Sequence, residues 1–193
     1  MELIYKGKKS SQEILDRTKP AILTSKNTSY KDSTNMLIQG DNLNVMRALV
    51  DSYGLMGKID LVYIDPPFAT NTVFRSNETR TSHVSYSLSD DIAYRDTLMG
   101  AEYLEFIRER LIFIRELMSN EGSIYLHIDY KIGHYVKIIM DEVFGIKNFR
   151  NDITRIKCNP KNFSRKAYGN IKDLILYYTK TDRYIWHEPK HER

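Results

Sequence analysis

The stretch Leu61-Val62-Tyr63-Ile64-Asp65-Pro66-Pro67-Phe68 decides how the rest of the chain is interpreted. The mostly apolar run from Ile59 to Ile64 is long enough for one buried strand and too short for a helix. It ends at Asp65, because prolines cannot donate to a strand ladder and move the preceding residue away from helical angles. The chain therefore leaves a sheet at its carboxyl edge, which is where ligands bind in open α/β sheets.

The residues after this strand form a group that suits one kind of ligand. Asp65 accepts hydrogen bonds, the Pro66 carbonyl is a second acceptor with a fixed direction, and Phe68 offers a flat apolar face. A planar ring with an exocyclic amino group could stack on Phe68 and donate to both oxygens. The alternative is a plain strand-ending turn with a solvated Asp65 and a core Phe68, since short motifs recur by chance.

Composition limits the class of protein. The chain has 193 residues, of which 41% are hydrophobic and 28% charged, as in a soluble globular domain. It has no apolar run of membrane-spanning length, and residues 1–6 do not resemble a signal peptide. Its single cysteine, Cys158, excludes an internal disulfide and fits a reducing cytoplasm. No Cys/His cluster has the spacing of metal ligands, so we expect a cytoplasmic protein without a metal.

Positive charge is concentrated at the end of the chain. The last 44 residues carry 11 Lys or Arg against 5 Asp or Glu, a local charge of +6 in a chain of net charge +4. Such a surface attracts a phosphate backbone. The alternative is an ordinary solvated face.

Polar residues 69–98 show no period and are expected to form a mobile loop that covers substrate and DNA.

Hydrophobic periodicity predicts alternating strands and helices after an N-terminal arm at residues 1–34. Asp41 is placed to cap the first main helix, and Gly122 to end the second in a left-handed conformation. The last two strands should pair antiparallel, because their connection is too polar and broken for a helix. The predicted order is strand Met36–Gln39, helix from Leu43, strand Ile59–Ile64, helix Met99–Met118, strand Ser123–Ile128, helix Lys131–Phe144, and strands Asn151–Lys157 and Leu174–Thr179.

This order, with Asp65-Pro66-Pro67-Phe68, resembles the β-group DNA amino-methyltransferases and their Asp-Pro-Pro-Tyr/Phe motif. Residues 37–42 look like the family's segment near the cofactor adenine, and residues 122–129 look like its strand beside the target pocket. The resemblance implies a mostly parallel, Rossmann-like methyltransferase sheet that ends in an antiparallel hairpin. It also implies methyl transfer from S-adenosylmethionine to adenine N6 of a base flipped out of duplex DNA, as in restriction-modification systems.

The resemblance assigns roles to particular positions. The catalytic residues would be Asp65, Pro66, Pro67 and Phe68, and the cofactor would contact Asp41 and Asp65. The nucleic acid would contact Arg75, Lys161, Phe163, Arg165 and Tyr168. Outside these sets we expect Asp129 to be a solvated loop acid, His127 a satisfied core residue and Trp186 a core anchor.

One family feature is missing. No two glycines stand one residue apart, so the Phe-x-Gly-x-Gly cofactor loop is absent. We therefore expect residues 35–193 to be the catalytic half of a longer or split enzyme, with an open sheet edge near Met36. The cofactor loop and the target-recognition domain would lie beyond residue 193. A restriction endonuclease or a second methyltransferase half would be the partner. The alternatives are a non-catalytic DNA-binding or assembly subunit, and an N4-cytosine or RNA amino-methyltransferase.

Overall fold

A computed structural model describes residues 2–24, 35–68, 73–77, 80–82, 91–95, 100–157, 166 and 171–188, with only the backbone at 73–77, 80–82 and 91–95. Its helices are α1 (Ser11–Arg17), α2 (Asn42–Asp51), α3 (Gly100–Leu117) and α4 (Tyr130–Phe144), with a 3-10 turn at Ile146–Asn148. Its strands are β1 (Ile59–Ile64), β2 (Val73–Asn77), β3 (Arg80–Ser82), β4 (Asp91–Arg95), β5 (Met118–Asp129), β6 (Phe149–Ile156) and β7 (Lys172–Thr179). No described helix is long and apolar enough to cross a membrane.

The main sheet has four strands in the order β1-β5-β7-β6. β1 and β5 are parallel, and Ile64 lies opposite Leu126. β5 with β7, and β7 with β6, are antiparallel, which confirms the predicted hairpin. Because β1 and β5 run in the same direction, their carboxyl ends meet at one edge of the sheet.

The alternation of side chains along β5 separates core from site. Ile124, Leu126 and Ile128 are fully buried and pack with α3 and α4 in the main hydrophobic cluster. Tyr125, His127 and Asp129 alternate with them and therefore face the other side of the sheet. The helices thus support the sheet from one face, while His127 and Asp129 reach its carboxyl edge on the other.

Two helices have well-defined caps. The Asp41 carboxylate accepts from the backbone N–H groups of Leu43 and Asn44 at 3.0 and 3.1 Å, which confirms it as the N-cap of α2. Gly145 ends α4 with a φ of 88°, a left-handed conformation that suits glycine. The arm lies on α3, where the Tyr5 hydroxyl donates to Glu105 at 2.6 Å.

Gly122 was wrongly predicted as a left-handed helix cap. It lies inside β5, where the pairing with β1 shifts from Ile59–Met118 to Leu61–Ser123 and leaves extra residues on the β5 side. A Cβ on Gly122 would lie 2.9 Å from the Ile59 carbonyl oxygen. The glycine is therefore needed for close approach of two backbones at a bulge.

The predicted strand at Met36–Gln39 is also wrong, since residues 35–39 form no regular secondary structure and belong to neither sheet. A strand requires a neighbour with which to share hydrogen bonds, and Met36 and Leu37 are instead exposed. β1, which was predicted as a buried strand, is consequently an edge strand of the described sheet, with Leu61 and Tyr63 exposed. The open edge was predicted beside Met36, whereas the edge of the described sheet is β1 itself.

Residues 69–98 were predicted as an irregular loop, but their described parts form a second sheet. Strands β3, β2 and β4 pair antiparallel in that order. The strands are only three to five residues long, which is too short for a hydrophobic period to be visible. The mobility of this segment without DNA stays a prediction.

Candidate active site at the carboxyl edge of the sheet

The Asp65-Pro66-Pro67-Phe68 segment follows β1 directly, as the sequence predicted. Tyr103 of α3 is fully buried, and its hydroxyl donates a hydrogen bond to the Pro67 carbonyl. Two prolines already restrict this backbone. The bond from Tyr103 adds a tertiary anchor, so the direction of the motif is fixed from the core side.

The side chain of Asp65 contacts a buried histidine. Its Oδ1 atom lies 3.1 Å from Nδ1 of His127, within hydrogen-bond distance, while its side chain remains 55% exposed. His127 itself is buried, with 6% of its surface exposed. One end of the Asp65 carboxylate is thus restrained by a buried ring, and the rest is accessible from outside.

Phe68 also contacts this imidazole. The two rings are edge to face, with centroids 5.2 Å apart and an interplanar angle of 85°. Phe68 is half-buried and packs against the main hydrophobic cluster. His127 therefore contacts both the carboxylate and the aromatic ring of the motif.

Behind His127 lies a buried charged cluster centred on Asp173 of β7. Nε2 of His127 is 3.4 Å from Oδ2 of Asp173, longer than a well-formed hydrogen bond, and has no other partner among the described residues. Lys157 and Arg155 approach the same carboxylate at 2.5 and 3.0 Å. Burial alone would raise the pKa of the Asp173 carboxyl, but the hydrogen bond and charge of Lys157 hold that pKa below its usual range.

An open groove of about 500 Å³ runs beside β1 and between α2 and α3. Its walls are mainly apolar, and Asp65 and Pro66 lie at one end of it. Arg110 of α3 donates to the Asn42 side chain at 2.8 Å and lies 3.7 Å from the Asp41 carboxylate. Asp41 thus stands beside the groove as well as capping α2.

Several predicted site residues lie outside the described part of the chain. Arg75 is described only as backbone of β2, and nothing in the structure tests its contact with DNA. The others are Lys161, Phe163, Arg165 and Tyr168. Two other basic residues of the last 44, Arg155 and Lys157, pair with Asp173 and so belong to the charged cluster behind His127.

Two further expectations are wrong. Asp129 is buried rather than solvated, because it caps α4 by accepting from the Lys131 N–H at 2.8 Å. Trp186 is 56% exposed and stacks on Tyr177 at a centroid distance of 6.2 Å, so it is not a core anchor. The described residues contain no cluster of His, Cys, Asp or Glu that could hold a metal ion.

Comparison with known proteins places this geometry in a family. The family model for DNA methylases that modify N6 or N4 amino groups matches residues 59–193, which include the motif and His127. The chain belongs to this DNA methylase family. It is 37% identical, over 97% of its length, to the type II methyltransferase M.EcaI of Enterobacter cloacae. It is 27% identical, over 94% of its length, to the EcoP15I Mod subunit of a type III restriction-modification enzyme of Escherichia coli.

The methylase chain spans 39% of the length of M.EcaI and 31% of that of the Mod subunit. Among solved structures, the cytosine-N4-specific PvuII DNA methyltransferase aligns with a TM-score of 0.50 over 75% of this chain and 48% of its own. The sequences are 16% identical, so the likeness shows a shared fold. The α/β methyltransferase fold expected from the sequence is confirmed, with a main sheet that is mixed, because β1 and β5 are its one parallel pair among the described strands.

Sequence reasoning missed the residues that hold the methylase motif. His127 was interpreted as a core residue, and neither Asp173 nor Tyr103 was considered for the site. One signal could have found His127, because parallel β1 and β5 bring their carboxyl ends together. His127 precedes the end of β5 by two residues, on the same face as Asp129.

Proposed function

We propose that the full-length protein transfers a methyl group from S-adenosylmethionine to the exocyclic amino group of a base in duplex DNA, with adenine N6 as the preferred target. The observation that carries this proposal is the Asp65 carboxylate, exposed at the carboxyl edge of the sheet yet held by buried His127. A strand-ending turn with a solvated aspartate would need no such support.

The chemistry follows from the two acceptors of the motif. An aromatic amino group is a poor nucleophile because its lone pair is conjugated with the ring. When Asp65 and the Pro66 carbonyl accept hydrogen bonds from its two N–H groups, the nitrogen is held in place and its pyramidal form, with a free lone pair, is favoured. Most of the acceleration would come from this alignment. Phe68 would stack on the base.

The residues beside β1 fit the proposed methyl donor. The groove has the volume of an ordinary ligand site, is mainly apolar and has a few polar groups at its rim, as an adenosyl group requires. Asp41, Asn42 and Arg110 would hold its polar edges, with Asp65 at the end nearest the target. S-adenosylmethionine would supply a methyl group on a cationic sulfur.

The DNA must present a single base to this edge. Enzymes that modify a base extrude it from the duplex, at a cost of a few kcal/mol. We assign the phosphate contacts to Arg75, Lys161 and Arg165, and stacking contacts to Phe163 and Tyr168. A restriction endonuclease is the proposed protein partner, in keeping with the restriction-modification enzyme to which the related Mod subunit belongs.

The test is methyl incorporation from labelled cofactor into duplexes whose only methylatable base is adenine or cytosine, using the full-length protein. Asp65→Ala should lower turnover roughly 100-fold or more, the scale seen when one positioned polar group is removed from an active site. Its duplex affinity should be nearly unchanged, since phosphate contacts dominate binding. Phe68→Ala should cost less, about 1–3 kcal/mol of stacking. Asp152→Ala on exposed β6 is the matched control.

The outcomes separate the alternatives. Methylation confined to cytosine would overturn the choice of base while leaving the reaction intact. Normal turnover by Asp65→Ala would reduce the motif to a turn. A wild-type protein that binds duplex DNA and S-adenosylmethionine but transfers nothing would favour the assembly subunit.

A further inference from the structure

His127 connects the methylase motif to the interior of the protein. It is the buried side chain that contacts both Asp65, at 3.1 Å, and the ring of Phe68, at a centroid distance of 5.2 Å. Its far side faces Asp173, which belongs to a different strand. A ring in this place can transmit the rigidity of the sheet to the two side chains that would handle the base.

We propose that His127 is a positioning residue for Asp65, holding the carboxylate by an Nδ1–H hydrogen bond so that its second oxygen is presented to the target amino group. The proposal rests on the methyl transfer inferred above and assigns His127 no contact with substrate. It requires that the proton be on Nδ1, whichever state Nε2 adopts.

The burial and charge around His127 favour this role over plain packing. An apolar residue would fill the same volume without the cost of burying a polar ring. The Asp65 side chain is more than half exposed, so without a donor it could turn into water and would have to be ordered again for each substrate. A fixed donor removes that cost before the base arrives.

The charged groups that face the imidazole are consistent with an Nδ1 donor. Asp65 lies on one side and Asp173 on the other, and Lys157 and Arg155 compensate the charge of Asp173. Tyr125 is the next side chain on this face of β5, and burial raises the pKa of its phenol, so it stays neutral. The shorter of the two imidazole contacts is the one to Asp65.

Two amide substitutions separate the two ring nitrogens. The amide nitrogen of Asn occupies the place of Nδ1, and that of Gln occupies the place of Nε2. His127→Asn therefore keeps a donor for Asp65, and His127→Gln keeps only a donor for Asp173. We expect kcat to fall about 10- to 100-fold in His127→Gln, the worth of a hydrogen bond to a charged group, and less than 10-fold in His127→Asn.

The assay is steady-state methylation of duplex DNA by the full-length protein. KM for S-adenosylmethionine and duplex affinity should change less than about twofold in both variants, because the lost bond acts on Asp65. His134→Asn and His134→Gln, at an exposed position of α4, are the controls and should match wild type. Equal loss in His127→Asn and His127→Gln, or no loss in either, would overturn the proposal.

A measurement on the wild-type protein covers the case in which both variants unfold. In full-length protein labelled with ¹⁵N-histidine, the imidazole signal that shows a through-space contact to the Phe68 ring belongs to His127 and reports the protonation of each ring nitrogen at neutral pH. Nδ1 should carry a proton. An unprotonated Nδ1 would refute the positioning bond even if methylation is normal, whereas an inactive wild type with a protonated Nδ1 would refute only the proposed reaction.

Discussion

Asp173→Asn tests the charged cluster that supports the site. The Asp173 side chain is 2% exposed and is approached by Lys157 at 2.5 Å, Arg155 at 3.0 Å and His127 at 3.4 Å. Removing one partner from a buried ion pair costs about 3–5 kcal/mol when the other charge stays buried. Here the Lys157 and Arg155 side chains are 33% and 55% exposed and can turn to water. We therefore expect a smaller loss, about 1–3 kcal/mol of unfolding free energy at pH 7.

The sign of the pH dependence follows from the lowered pKa of Asp173. A carboxyl whose pKa is lower in the folded state stabilises the fold above its unfolded pKa, about 3.9, and loses that contribution as the pH falls through the folded value. Urea unfolding should thus show a difference between wild type and Asp173→Asn that is constant from pH 7 to about 5 and shrinks below about 4.

Asp152→Asn is the matched control for this experiment. Asp152 is exposed on neighbouring β6 and makes no ion pair with any described residue, so its substitution should change stability by less than about 0.5 kcal/mol. A wild-type to Asp173→Asn difference that is absent at pH 7, or that persists unchanged at pH 3, would refute the stabilising role of the ionised carboxylate.

Two other substitutions, measured by urea unfolding and by kcat, test the contacts that hold the Pro67 backbone and the β5 bulge. Tyr103→Phe should lower stability by about 1 kcal/mol and also lower kcat, because the Pro67 carbonyl loses its anchor. Tyr5→Phe, which loses a bond to Glu105, should lower stability alone; equal kcat in both variants would disprove the anchor. Gly122→Ala should cost about 1–3 kcal/mol, because its Cβ meets backbone oxygens at 2.9 and 3.1 Å. Exposed Glu121→Ala is its control, and a Gly122→Ala protein as stable as wild type would show that the bulge relaxes.

The sequence predicted the elements whose signals are local. The Asp41 cap, the periods of α3 and α4 and the proline-terminated β1 each depend on neighbouring residues, and the structure confirms them. The signal for Gly122 was local too, but ambiguous. A glycine after a helix fits a left-handed cap and a close approach equally well, and only the position of Ile59 decides between them.

The errors at Met36–Gln39 and Asp129 have a different cause. Whether an apolar stretch becomes a strand depends on a neighbour with free hydrogen-bonding groups, which its own sequence does not show. Asp129 was judged by its place at a strand end, whereas its burial depends on α4 beginning at the next residue. In both cases tertiary context overrode a correct local pattern.

The candidate site shows the same difference between local signals and tertiary context. Asp65, the prolines and Phe68 are adjacent in sequence, so their joint chemistry could be inferred from the motif alone. Their supports come from distant parts of the chain, with Tyr103 on α3, His127 on β5 and Asp173 on β7. The chemistry of a motif can be hypothesised without knowing the residues that contact it. Those residues decide whether its aspartate is an ordered acceptor or a solvated acid.

The two supports hold different parts of the motif from different layers. Tyr103 holds the backbone at Pro67 from the helical layer, and His127 holds the side chains of Asp65 and Phe68 from within the sheet. The Pro67 carbonyl and the Asp65 carboxylate are therefore contacted from different layers. The proposed reaction needs two acceptors at a defined separation, so we expect loss of either contact to lower turnover. The sheet thus packs against the helices on one face and places His127, on the other face, against the side chains to which we assign recognition of an amino group.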